Sequence, residues 1–346
     1  MNASVDAVTV YGAKIISRHG AAMAAEMEGV RKADGIEYSD RMRVAARRMR
    51  SALSIFRSWF SNKDYKESYR DVRQVTRALG EARDLDVQLE VIQAAELECN
   101  RPGQLPGLKR LLLRLSQKRA EAQQHVISAM DRLEQDQLLA RLNAWYAPFL
   151  AAAESVYLYS PALYQLAFES VQACLKDLLG HVPYISDPAN VTELHAMRIS
   201  AKRLRYTMEA FADLYGGNLK PFISQTRHFQ DVLGEIHDAD VWVEMIPRFI
   251  QEEEERIRTY FGNNRPLRRL LPGLEAFQAN RAEKRKADYQ NFLGMWEKVD
   301  GERFWEELLK LINAPLNLEA ALRSLQQLEN PQLLQEAPSE DISPED

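Results

Sequence analysis

"RMRVAARRMRSAL" (residues 41–53) and "LHAMRISAKRLRY" (residues 194–206) decide the fold. Set in register, "RVAARRMRSAL" (43–53) lies over "RISAKRLRYTM" (198–208), 155 residues further on. In the second segment Leu194, Met197, Ala201, Leu204, Met208 and Phe211 recur at helical spacing; in the first, Met42, Ala45, Ala46, Met49, Leu53 and Phe56 do the same. Each set is one apolar face of a helix turned to a core. Beside each runs a cationic stripe: Arg43, Arg47, Arg50 and Arg57 in the first, His195, Arg198, Lys202 and Arg205 in the second. Like charges at three- and four-residue steps destabilise an isolated helix by about 0.2–0.5 kcal/mol per pair. No Glu relieves either stripe until Glu209. Beside the plain reading of a solvated face, such a stripe is explained most directly by an external polyanion or by acids on a facing helix. Arginine suits the polyanion reading, since its planar fork donates paired hydrogen bonds to phosphate oxygens and stays charged.

The duplication extends beyond these helices. "LGEARDLDV" (79–87) matches "LGEIHDADV" (233–241), and "QKRAEAQQHVISAM" (117–130) resembles "QANRAEKRKADYQNF" (278–292), which sets Arg119 with Arg281. Three matches in one order make a duplicated unit, about 8–155 and 158–314, with four to six helices in each copy. Good helix formers dominate throughout. Gly and Pro gather in "NRPGQLPG" (100–107), "HVPYISDP" (181–188), "YGGN" (215–218), "FGNNRP" (261–266) and "NAPLN" (313–317), which read as helix breaks. No alternating strand pattern occurs. The expected class is all-α, as two pseudo-symmetric helical bundles. Residues 1–315 form the domain, and 316–346 form an acidic extension that is expected to be disordered at its end. A third basic stripe, Lys66, Arg70, Arg73 and Arg77, precedes the first LG segment. Its counterpart in the second copy is weaker, reading Lys220, Ser224, Arg227 and Asp231.

The chain has 346 residues, 46% hydrophobic and 27% charged, with a formal net charge of −5. Six of the acids lie after Leu325 with no Lys or Arg among them, so the rest of the chain is close to neutral and its basic segments stand out. Two cysteines, Cys99 and Cys174, leave no metal-type spacing and fit a reducing cytoplasm. The N-terminus lacks a basic segment followed by an apolar run, and no apolar run approaches a membrane span. His237-Asp238 could supply metal ligands in a phosphohydrolase, but the aligned pair is Arg83-Asp84, and Arg does not serve as a metal ligand. No phosphate loop of the GxxxxGK[ST] kind and no nucleophilic triad is legible.

The two motifs, each followed by an LG-x-x-[RH]-D-x-D-V segment, resemble the CHAD domain, the conserved histidine α-helical domain, over about residues 8 to 314. The resemblance implies two four-helix bundles around a basic cavity, and non-catalytic binding of inorganic polyphosphate in the cytoplasm, often on polyphosphate granules, with no cofactor, metal or membrane. By position it points to His195, Arg198, Lys202 and Arg205, and to Arg43, Arg47 and Arg50. Lys66, Arg70, Arg73, Arg119, Arg227 and Arg281 complete the expected phosphate-binding set. Where the family often carries a first-motif histidine, this chain has Asp40, placed either to hold Arg43 or to compete with the ligand. No ExExK strand of a triphosphate-processing domain is present. Two other classes stay open: a nucleic-acid binder, against which the scarcity of aromatics in the stripes weighs, and a metal-dependent phosphohydrolase.

Overall fold

The computed structural model describes residues 5–329, with side chains through Leu318. The all-α expectation holds: there are ten α-helices and no strand among the described residues. They are α1 (Ala7–Lys32), α2 (Ile36–Ile55), α3 (Asn62–Glu98), α4 (Leu105–Gln135), α5 (Leu138–Ala151), α6 (Pro161–Leu179), α7 (Val191–Phe211), α8 (Lys220–Phe261), α9 (Leu271–Gly301) and α10 (Phe304–Glu329). The first arginine-rich motif lies on α2, the second helix, and the second on α7, the second helix after residue 160. The LG segments lie inside α3 and α8. Pairings recur as well: α2 packs on α1 and α3, α7 on α6 and α8, while α3 pairs with α4 and α8 with α9.

Local chemistry sets the ends. Asp6 and Thr9 form a reciprocal capping box at α1. The Ser61 and Ser160 hydroxyls accept from the backbone N–H groups of Asp64 and Leu163. Gly216 (φ 56°) and Gly262 (φ 70°) take the left-handed conformation that stops a helix, in the "YGGN" and "FGNN" turns. "NAPLN" behaves otherwise, because Pro315 lies inside α10. An interior proline forfeits one backbone hydrogen bond but keeps a helical φ, so the helix can run on past it. α10 therefore passes through the position where the extension was expected to begin. Residues 330–346, which hold most of the acidic tail, lie outside the described residues.

Both apolar stripes are buried as read, from Met42 to Phe56 and from Leu194 to Phe211. They belong to one continuous core. Phe56 and Phe211, equivalent positions of the two copies, meet with ring centroids 6.3 Å apart, and Tyr11 stacks on Phe211 at 6.1 Å. The Tyr11 hydroxyl donates to the Ala210 carbonyl at 2.9 Å. Full burial of one such apolar side chain contributes about 1.5–3 kcal/mol. Packing of α2 against α7 brings the cationic stripes of the two copies side by side.

A second core closes the far ends of α3, α4, α8 and α9 around Ile92, Leu111, Trp242, Ile246, Phe249 and Leu274. Here "LPGL" occurs twice, at 105–108 and 271–274, a match the sequence reading overlooked. The two copies touch reciprocally. A Cβ on Gly107 would stand 2.2 Å from the Leu270 carbonyl oxygen, and one on Gly273 would stand 2.0 Å from that of Gln104. Only glycine lets two backbones approach this closely. This contact corrects the alignment of the fourth helices. Setting LPGL over LPGL pairs Arg119 with Arg285, four residues beyond Arg281. The side chains agree: Arg119 Nε donates to Asp86 at 2.6 Å and Arg285 Nε to Asp240 at 2.6 Å. Asp86 and Asp240 are thus mid-helix partners of α4 and α9. The sequence alone also allows these acids to start helices or to pair with Arg48 and Arg203, but both lie mid-helix, and Arg48 and Arg203 pair with Glu209 and Asp177.

Candidate anion-binding site

Four helices meet at the centre. α2 contributes Arg43 and Arg47, α7 contributes His195, Arg198 and Lys202, α3 contributes Asp84, and α8 contributes His237 and Asp238. Lys202 records the crowding most clearly. Burial, then the charges of Arg47, Arg198 and Arg43, push its ammonium down to about 7 against the opposing pull of Asp84. Arg43 is also held below its ordinary value, by burial and by Arg47. Arg47, Arg198 and Lys202 form no ion pair with a described residue. The buried Nε atoms of Arg43 and Arg198, equivalent positions of the two copies, donate to nothing. Arg198 lies over Gly234, where a Cβ would be in ordinary contact, 3.5 Å from its Nε.

Two carboxylates complete the centre, and the sequence reading gave them no role in it. Asp84 and Asp238 are open to solvent, yet surrounding protein raises both carboxyls above their ordinary range despite the nearby cations. Only the equivalence of the two LG segments could have flagged them.

The position of Asp40 is resolved by its neighbours. Its carboxylate lies 3.4 Å from Arg43 and 3.4 Å from Arg83. The equivalent positions of the second copy are His195 and His237, whose Nδ1 atoms are 3.0 Å apart. An acid–base pair in one half thus replaces a histidine pair in the other. One imidazole must donate to the other, so at least one is neutral. Burial first, then His195, Arg198 and Lys202, push His237 down to about 4, and His195 is lowered by burial, Arg198 and Lys202. His237 is therefore the orienting partner of His195. Among the described residues, no group of three or more His, Cys, Asp or Glu is arranged to hold a metal.

The remaining expected residues divide. Arg205, 8% exposed, donates to Glu209 at 2.7 Å and to Gln230 at 3.0 Å, with its guanidinium over the Tyr206 ring. Arg227 lies 3.7 Å from Glu209 and Arg48 2.9 Å, so one acid gathers three arginines. Arg119 is held by Asp86. Arg70 pairs with Asp71, a carboxylate 3% exposed that also holds Arg141. Arg281 stands away from the centre beside Asn280, over the Phe277 ring. Arg50, Lys66 and Arg73 form no ion pair with a described residue.

Two solved structures share the fold. The CHAD domain from the plant Ricinus communis is 21% identical, with a TM-score of 0.54 over 84% of this chain and 95% of that one. PptA from Streptomyces chartreusis is 17% identical, with a TM-score of 0.58 over 85% of this chain and 100% of that one. No curated protein matches the chain. Residues 14–247, from α1 well into α8, match the CHAD domain family, and with its two motifs on paired helices the chain belongs to that family.

Proposed function

We propose that the centre binds inorganic polyphosphate as one ligand shared by both halves, without chemical turnover. The observation that carries this reading is the set of unpaired cations at the centre: Arg47, Arg198 and Lys202 form no ion pair with a described residue, and the buried Nε atoms of Arg43 and Arg198 donate to nothing. Holding cations together in a crowded site costs free energy unless an anion occupies it. Arg43 and Arg47 reach the cluster from one copy of the duplicated unit, and Arg198 and Lys202 from the other. A chain of phosphates bridging α2 and α7 would satisfy all four at once, with His195 donating a neutral N–H. Asp84 and Asp238 would limit how many phosphates enter and keep the cations oriented. Asp84 and Asp238, like Asp40 beside Arg43, stand among these cations, which fits binding better than general-base chemistry.

Four phosphate contacts of this kind give a salt dependence of log affinity with slope on the order of 3, by analogy with nucleic acids. Raising salt from about 50 to about 300 mM should then lower affinity on the order of a hundredfold. Arg47→Glu and Lys202→Glu should each weaken polyphosphate roughly tenfold or more, since each sets a carboxylate beside the same anion. Fluorescence or calorimetric titration, with RNA run alongside, tests this. Binding that ignores salt, or that survives either substitution in a folded protein, defeats the shared site. Tighter binding to RNA than to polyphosphate defeats the ligand assignment.

A further inference from the structure

The two copies are not alike beyond the centre, and the difference has a direction. Along α2 the line Arg43, Arg47, Arg50, Ser54 steps by four, three and four and stays on one face of the helix, over about 16 Å. The matching line on α7 reads Arg198, Lys202, Arg205, Glu209. Glu209 thus stands where the first copy has Ser54. It neutralises Arg205 at 2.7 Å and lies 3.7 Å from Arg227. Ser54 does nothing comparable; its hydroxyl donates to the Arg50 carbonyl of its own helix. Arg50 and Arg73, the counterparts of Arg205 and Arg227, form no ion pair with a described residue.

The neighbouring helix repeats the contrast. α3 runs antiparallel to α2: Asp84 feels the charges of Arg47 and Arg43 at one end, and at the other Arg57 stacks 5.1 Å over the Tyr65 ring. Between these points Arg77, Arg73 and Lys66 step down one face of α3, all exposed and none ion-paired with a described residue. Of the acids of α3 nearest them, Asp71 pairs with Arg70 and Arg141 and Glu81 lies toward His125, while Glu67, next to Lys66, forms no ion pair with a described residue. On α8 the equivalent of Arg77 is Asp231 and the equivalent of Arg70 is Ser224.

We infer that the α2–α3 face of the first copy is a second, chain-length-selective stretch of the binding site. A long polyphosphate leaves the centre over Arg50, Arg73, Arg77 and Lys66 and does not leave over α7–α8. The inference rests on the polyphosphate reading of the centre. It adds that bound long chains lie asymmetrically, with short oligophosphates confined to the centre.

The test exchanges the distinguishing residues and uses two probes, tripolyphosphate and long-chain polyphosphate. Ser54→Glu installs the first-copy equivalent of Glu209 and should neutralise Arg50 and Arg73. The salt slope for long-chain polyphosphate should then fall by about 1 to 2, the loss of one or two phosphate contacts, with tripolyphosphate affinity unchanged. Arg73→Glu combined with Arg77→Glu should act in the same way. Asp231→Arg, which gives the second copy the cation of Arg77, should strengthen long chains only. If Ser54→Glu and the double variant bind long chains as the unaltered protein does, while Lys202→Glu abolishes both ligands, the stretch is overturned and the centre stands. If Lys202→Glu, properly folded, leaves both ligands bound, the central reading fails and this inference fails with it.

Discussion

Lys202 gives the binding site its own proton chemistry. With its ammonium at about 7 in the free protein, a large share of molecules lack this charge at neutral pH. A phosphate beside it favours the charged form, so binding above pH 7 takes up a proton. Affinity should therefore decline from about pH 6 to about pH 9, with proton uptake measurable by calorimetry in buffers of different ionisation enthalpy. Lys202→Arg keeps its charge throughout and should flatten that decline. Stability has the opposite sense. The folded protein binds fewer protons at this position than the unfolded chain between about 7 and the ordinary lysine value of 10.5, so stability rises with pH across that window. The cost of carrying the charge is fully present below pH 7. Lys202→Met should accordingly raise the melting temperature most near pH 6 and least near pH 10.

At the scale of elements, the crossing of α4 and α9 depends on two absent side chains. Gly107→Ala or Gly273→Ala would drive a methyl group into a carbonyl oxygen of the opposite backbone. Each should cost about 1–3 kcal/mol, read as a lower urea midpoint with an unchanged slope. The same helices show where sequence ceases to be readable. The apolar stripes of α2 and α7 were legible because burial imposes a period, and every residue assigned to them is buried. The central cations were legible for the same reason, as the next stripe on the same helices. The fate of Arg205 was not, because Glu209 lies on its own helix while Arg48 and Arg227 arrive from two others through packing alone. The register of α9 was also missed, because the first LPG lay in the Gly- and Pro-rich stretch 100–107 that read as a break, and its repeat at 271–274 went unmatched, whereas their contact sets the register. Asp84 and Asp238 were seen as a repeated pair, but only the meeting of α3 and α8 with α2 and α7 reveals that they share the cations' surroundings.

For the whole molecule, the helices before and after residue 160 share one core. Phe56 meets Phe211, Tyr11 donates to Ala210, and Arg48 reaches Glu209, each contact crossing from one copy to the other. A protease site inserted at 156–160, between α5 and α6, should yield two fragments that stay together on size exclusion and unfold in a single calorimetric transition. Residues 161–346 expressed alone should aggregate, since the α7 face that receives Phe56 would be bare.

The exchange of Asp40–Arg83 for His195–His237 carries a consequence for descent. One interaction exists here in two chemical dialects, and no single substitution translates one into the other. Asp40→His alone would set an imidazole beside two guanidinium groups, those of Arg43 and Arg83. His237→Arg alone would add a permanent charge next to Arg198 and Lys202. Natural variants of this chain are therefore expected to change positions 40 and 83, or 195 and 237, as couples. A lineage caught with one member altered should bear a second change nearby that restores the balance.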